Sequence, residues 1–341
     1  MAATKDRQLF RHLLRLSRFD RYNPLFTTFA GCKCDEQPPC LCNTLGSSLT
    51  EPFLFSVWST LLAGGAKMAE QRSDMSVATV FQQCALCFVA SYLFCGAGMV
   101  WNDWIDRDID ANVARTKERP LASGKVTTTE AMVWMLLQAA LSWGVLEVML
   151  DGKDVAKHFV PVAAASVLYP FGKRSLARTL GIYPQYILAF TIAWPAVIGR
   201  AAIYGQYESY AETLRQCLPL CTMVFFWTIY LNTAYSYQDV VDDRKLGVNS
   251  FYNIAGKHIH LLLVALVSPI LVCLPIYLFE LHSLWLWLSW MGVWTASLAQ
   301  QLVQFDPKQP ASGGSIHRSN FILGIWTILA CVVQVFLTGS S

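Results

Sequence analysis

The chain has 341 residues, of which 54% are hydrophobic and 14% charged, with a mean hydropathy of +0.38. A soluble domain carries about 25% charged residues, so the composition excludes an ordinary soluble enzyme and points to a membrane protein with little material for a separate soluble domain. Lys and Arg number 26 and Asp and Glu 23, a net charge of +3 that is too small to imply a nucleic-acid partner.

In chain order, residues 1–22 open as a basic amphipathic segment, with Leu9, Leu13, Leu14 and Leu16 set against Arg7, Arg11, Arg15 and Arg18. It lacks the continuous apolar core of a cleavable signal and is expected on the membrane surface. Residues 23–338 read as one all-α, multi-pass transmembrane domain. Apolar runs predict helices at 76–101, 127–150, 158–171, 182–204, 217–238, 259–281, 283–304 and 320–338, a span needing about 20 residues. A first helix is assembled from two half-spans, 23–31 and 57–68, giving about nine spans in all.

The stretch between those halves, 32–56, is expected to be a non-family insert, a translated intron, because neither half crosses alone and joining them makes one span. Two other readings stand beside it. The run 52–68 can itself serve as the span, or Cys32, Cys34, Cys40 and Cys42 can hold a metal, although C-x-C pairs depart from the usual zinc spacing. The other seven of the 11 cysteines fall in apolar stretches and read as small hydrophobes rather than a disulfide framework.

Orientation follows from the basic residues. Most of them lie before Pro24 and in the loops after the second, fourth, sixth and eighth helices, whereas Lys67, Arg72, Lys153, Lys157, Arg200 and Arg215 fall on the other side. This predicts a cytosolic N-terminus and a lumenal C-terminus.

Two acidic clusters stand out in a chain this poor in charge. After the second helix come Asp103, Asp106, Asp108 and Asp110. Continued as helix, Asp103, Asp106 and Asp110 fall at i, i+3, i+7 on one face, with Asp108 pointing away. Grouped carboxylates repel unless a cation neutralises them, and their hard oxygens suit Mg²⁺ shared with substrate phosphates. The sixth helix ends at Asp239, Asp242 and Asp243, with Asp239 and Asp243 at i, i+4. Both clusters sit at cytosolic ends of even-numbered helices and can face each other across a cavity mouth. Such a mouth suits a lipid diphosphate, with Arg115, Lys117, Arg119, Lys173, Arg174 and Lys245 available for its oxygens.

These residues resemble a known family. The NDxxDxxxD at Asn102 to Asp110, RTxxRP at Arg115 to Pro120, YPxxKR at Tyr169 to Arg174, Pro184-Gln185, and QDxxDDxxxGVxS at Gln238 to Ser250 are together similar to the UbiA superfamily of intramembrane prenyltransferases, in its fungal meroterpenoid branch. The resemblance implies catalytic Asn102, Asp103, Asp106, Asp110, Asp239 and Asp243, the five acids holding Mg²⁺, with Arg115, Arg119, Lys173, Lys245 and Tyr169 binding diphosphate. It implies a prenyl diphosphate, farnesyl in this branch, and a polyketide-derived phenolic acid such as 3,5-dimethylorsellinic acid as substrates, in a eukaryotic endomembrane and with no protein partner. Asn232 stands where many relatives carry an acid, which puts an extra metal contact there in question.

The expected chemistry is metal-assisted departure of diphosphate, an allylic cation sheltered by aromatic side chains, and attack by an electron-rich ring. Trp285, Trp287, Trp290 and Trp294 are expected at the lipid or interface, and His258 and His260 at the interface. The alternatives are a terpene cyclase of the same fold and an ion-coupled transporter. A transporter would hold its acids near the membrane midplane.

Overall fold

The computed structural model describes the backbone of residues 2–19, 50–70, 75–112, 116–241, 249–309 and 311–339, and their side chains apart from those of residues 2–5, 50–56, 175 and 239. Every regular element among the described residues is helical. The principal helices are α1 (Ala2–Leu16), α2 (Thr50–Ala69), α3 (Val77–Asp110), α4 (Thr128–Met149), α5 (Val155–Gly172), α6 (Ser175–Thr179) and α7 (Pro184–Ala193). There follow α8 (Pro195–Tyr204), α9 (Tyr210–Ser236), α10 (Tyr252–Ala255), α11 (Ile259–Glu280), α12 (Leu284–Leu286), α13 (Val293–Gln304) and α14 (Ser312–Gly339).

Six helical stretches among the described residues are long and apolar enough to cross a bilayer: Val77–Asp110, Thr128–Met149, Pro184–Tyr204, Tyr210–Ser236, Tyr252–Glu280 and Ser312–Gly339. The expected nine is not reached by this measure, although helix also forms over 158–171, 284–304 and the 57–68 half of the first predicted span. Of these, α5 has 18 residues, and the 283–304 span is divided by a wide π-helical turn at Trp287–Gly292. The third, α2, runs unbroken for 20 residues. It therefore begins inside the 32–56 stretch and supplies a full span's length without residues 23–31, as the second reading of that stretch requires. Residues 20–49, with Cys32, Cys34, Cys40 and Cys42 and the 22/23 boundary, lie outside the described residues.

The chain forms two compact units, Met1–Thr50 with Val89–Val145 and Glu51–Phe88 with Leu146–Ser341. In the first, the apolar face of α1 packs on protein: Leu16 is buried with Val100, Leu121, Val126 and Ala131, and Leu9 and Leu13 lie against them. Trp134 Nε1 donates to Ser17 Oγ at 2.8 Å, and Phe19 stacks on Tyr92 with ring centroids 4.3 Å apart. Gly96 permits this approach, since a Cβ there would stand 2.6 Å from the Phe19 ring. The apolar face of the N-terminal segment is thus docked on the rest of this unit.

In the second unit α9 packs most extensively on α11 and α7. Trp58, Trp227, Trp290 and Trp294 form one buried aromatic cluster, with neighbouring centroids 5.1–6.3 Å apart. Trp290 and Trp294 are therefore core residues, contrary to the lipid-facing expectation, while Trp285 and Trp287 are half-buried at the margin of the same core. The π-turn shifts the helical register just where Trp290 enters the core. Polar bonds tie the bundle beside it: Trp227 Nε1 donates to Asn320 Oδ1 at 2.6 Å, and Asn320 Nδ2 and Tyr230 OH both donate to Gln301 Oε1 at 2.6 and 3.0 Å. With no water to compete, such bonds orient helices that lipid would solvate equally well apart. The predicted 182–204 helix is continuous but for a break before Pro195, whose missing N–H ends one helical ladder and starts the next.

Candidate functional site

The α3 helix does not stop where its hydropathy falls; it continues through Asp110. Asp103, Asp106 and Asp110 are 1%, 8% and 7% exposed. The Asp108 side chain is 89% exposed and 3.5 Å from Arg107 Nε. The i, i+3, i+7 spacing thus gives one buried acidic face, with Asp108 off it, as the helical period requires.

Buried carboxylates need cations, and two arginines supply them. Arg119 Nη1 donates to Asp103 Oδ1 at 3.0 Å and to Asp110 Oδ2 at 2.7 Å. Its position is set by the following turn. Thr116, itself buried, donates through Oγ1 to the Asp110 carbonyl at 3.1 Å, Arg119 N bonds the Thr116 carbonyl at 2.9 Å, and Lys125 N and Val126 N close on the Pro120 carbonyl. Gly124 completes the turn at φ 70°, a conformation that glycine adopts without a Cβ penalty. On the exposed side of this turn a hydrogen bond and charge from Lys125 hold the Glu118 carboxyl below the usual range. The second arginine, Arg18, was not expected here: its Nη2 donates to Asp103 Oδ1 at 2.9 Å. Asp103 Oδ2 lies equally near that nitrogen but off its N–H direction, and it is a buried acceptor left without a hydrogen bond.

The second acidic motif is only partly described. α9 tightens into a 3₁₀ turn at Tyr237–Asp239, which places the Asp239 backbone at the helix end. Asp242, Asp243 and Lys245 lie outside the described residues, as does Arg115. Gly313 brings α14 onto this end of α9: a Cβ at Gly313 would collide with the Ala234 carbonyl oxygen.

Beyond residues 242–248 the motif's tail is firmly held. Asn249 Nδ2 donates to the Gly172 and Ile182 carbonyls, both at 2.9 Å. Gln185 Nε2 donates to Ser250 Oγ at 3.0 Å and its Oε1 accepts from Phe251 N at 3.3 Å. Gln185 and the Asn249-Ser250 end of the second motif are therefore one buried clasp, which ties that end to the end of α5. There Lys173 Nζ sits over the Tyr169 ring, 4.8 Å from its centroid, a cation–π contact. Sequence reasoning quoted both motifs of the clasp and gave neither this role.

Among the described residues, no three His, Cys, Asp or Glu side chains form a ready metal cage. What is present among the described residues is a hard-oxygen face that includes a carboxylate oxygen, Asp103 Oδ2, without a hydrogen bond. Such a set suits a cation that takes part of its coordination from substrate phosphate.

The sequence model of the UbiA prenyltransferase family matches residues 56–332. The chain is 91% identical over 341 residues to the polyprenyl transferase dpchC of Colletotrichum higginsianum, the alignment covering all of both chains. It is 55% identical to the polyprenyl transferase dpmpC of Macrophomina phaseolina, again over the whole of both. Its fold is similar to the structure of a UbiA homolog from Archaeoglobus fulgidus bound to GPP and Mg²⁺, at a TM-score of 0.55 and 14% identity, covering 86% of this chain and 100% of that one. On this match, the motifs and the apolar helices, the chain belongs to the UbiA prenyltransferase family and is an integral membrane prenyltransferase.

Proposed function

We propose that the protein is a Mg²⁺-dependent aromatic prenyltransferase. It moves a prenyl group, farnesyl by resemblance, from its diphosphate to a polyketide-derived phenolic acid such as 3,5-dimethylorsellinic acid, with its N-terminus in the cytosol and its bundle in an endomembrane. The observation that carries this reading is the buried acidic face of α3, held by Arg119. The GPP and Mg²⁺ bound to the Archaeoglobus homolog support the same assignment.

In this reading Asp103, Asp106, Asp110, Asp239 and Asp243 would hold the metal, and with Asn102 they orient the leaving group. Bound magnesium would draw off negative charge from the departing diphosphate. Arg115, Arg119, Lys173 and Lys245 take the phosphate oxygens, for which guanidinium forks and an ammonium are suited. Tyr169 holds the Lys173 ammonium against its ring face. As the prenyl C–O bond breaks, its electron pair goes to the diphosphate and the prenyl carbon is left positive; the apolar helices exclude the water that would quench it, and a ring carbon of the acceptor forms the new bond as its proton passes to the released diphosphate. No side-chain nucleophile is required.

The test is mass spectrometry of products from membranes carrying the full chain, given Mg²⁺, prenyl diphosphates of several lengths and a panel of orsellinic acid derivatives. A product heavier than the acceptor by one prenyl group less a proton supports the reading. Diphosphate released with a cyclised hydrocarbon and no adduct favours the cyclase instead.

A further inference from the structure

Arg18 lies outside the residues 56–332 matched by the family, yet it touches Asp103, the most buried of the described acids of the site. Its placement is over-determined. The residue adopts φ 63°, rare for a side chain other than glycine, and is fixed on both sides by the Ser17–Trp134 bond and the Phe19–Tyr92 stack. One guanidinium nitrogen, Nη1, bonds the Arg15 and Leu16 carbonyls at the end of α1. The other, Nη2, is 2.9 Å from both Asp103 oxygens.

Asp103 already accepts from Arg119, so it holds two guanidinium groups on one carboxylate. A divalent cation on Asp103 would add two more positive charges beside them; Arg119 would keep Asp110, but Arg18 would then need another anion. The diphosphate meets that need. In an octahedral site with bonds of about 2.0–2.1 Å, neighbouring ligand oxygens stand about 2.9 Å apart. A phosphate oxygen sharing a cation with Asp103 would thus stand about 2.9 Å from an oxygen that Arg18 now touches, close enough for the guanidinium to turn from one to the other.

We propose that Arg18 is a diphosphate-binding residue delivered by the N-terminal helix, parked on Asp103 until metal and substrate arrive. The proposal rests on the reading of this site as the diphosphate site. It makes α1 part of the binding machinery, not an accessory anchor.

Calorimetry with inorganic pyrophosphate and Mg²⁺ on the full chain in lipid nanodiscs tests it. Wild type should bind; its failure to do so overturns the diphosphate reading itself, and this inference with it. Arg18→Gln keeps a hydrogen bond for Asp103 but no charge, and should weaken pyrophosphate binding about tenfold, or about 1.4 kcal/mol. In turnover it should raise KM for prenyl diphosphate and leave KM for the acceptor unchanged. Arg11→Gln, an exposed position on the same helix, should bind as wild type. Unchanged pyrophosphate affinity in a folded Arg18→Gln chain would overturn the proposal, leaving Arg18 a counter-charge for Asp103. Should that variant fail to fold, Arg18→Lys decides: it keeps the charge and loses the fork, so weakened binding supports the proposal and wild-type binding sinks it.

Discussion

Asp103 is the residue on which the site turns: fully buried, doubly paired with arginine, and still carrying an oxygen without a hydrogen bond. Asp103→Ala and Asp106→Ala should each lower turnover by about a hundredfold or more, the scale of losing a group that stabilises developing charge. Asp108→Ala, which removes a solvated side chain, should stay within about twofold. Initial rates on equal amounts of inserted protein separate these outcomes. Equal losses at Asp106 and Asp108 would mean that the face does not matter. The three buried acids were legible because helical spacing is a local property. Arg18 was not, because its partner is 85 residues away and no spacing rule connects a surface helix to a distant acid.

The helices were legible as apolar runs, but their ends were not. Hydropathy marks the lipid-facing middle of a helix; its ends are set by capping and charge pairing. Thus α9 starts at Tyr210, ahead of the expected 217, where Ser209 Oγ accepts from Glu212 N at 3.2 Å, a capping signal at S-x-x-E spacing. In the same way α3 outlasts its apolar run because arginines neutralise its last turns. The π-turn at Trp287 could not be read from composition, and so two core tryptophans were assigned to lipid. Trp294→Ala should cost on the order of 3 kcal/mol through lost packing, and Leu288→Ala, exposed on the same run, less than about 0.5 kcal/mol. Thermal unfolding in detergent compares them, and equal melting points would contradict the buried cluster. Gly313→Ala forces α14 off the Ala234 carbonyl. It should lower stability by about 1–3 kcal/mol, as overpacking does, and reduce activity, because Asp239 follows directly on α9. Wild-type stability and rate in that variant would show that the approach of the two helices is not needed.

For the molecule as a whole, the family, the helical class and the membrane setting were carried by motif order along the chain, which survives any error in helix ends. The number of spans was not, since it depended on stitching 23–31 to 57–68. With α2 continuous from Thr50 and the dpchC alignment covering all of this chain, we propose the second reading, in which 32–56 belongs to the protein and 52–68 serves as the span. Deleting 32–56 removes the first turns of α2, so the shortened chain should insert poorly and lose activity. A glycosylation-site insertion assay beside turnover measures both, and an active deletion chain would restore the stitched helix.

The central claim is that both acidic motifs act on one diphosphate through a divalent cation. The direct measurement is diphosphate release from a prenyl diphosphate as Mg²⁺ is titrated, in the wild-type chain and in Asp103→Ala and Asp239→Ala. The account predicts release that saturates with Mg²⁺, vanishes with EDTA, and falls by about a hundredfold or more in either variant. Wild-type release that persists in EDTA, or that survives the loss of either acid, would contradict it.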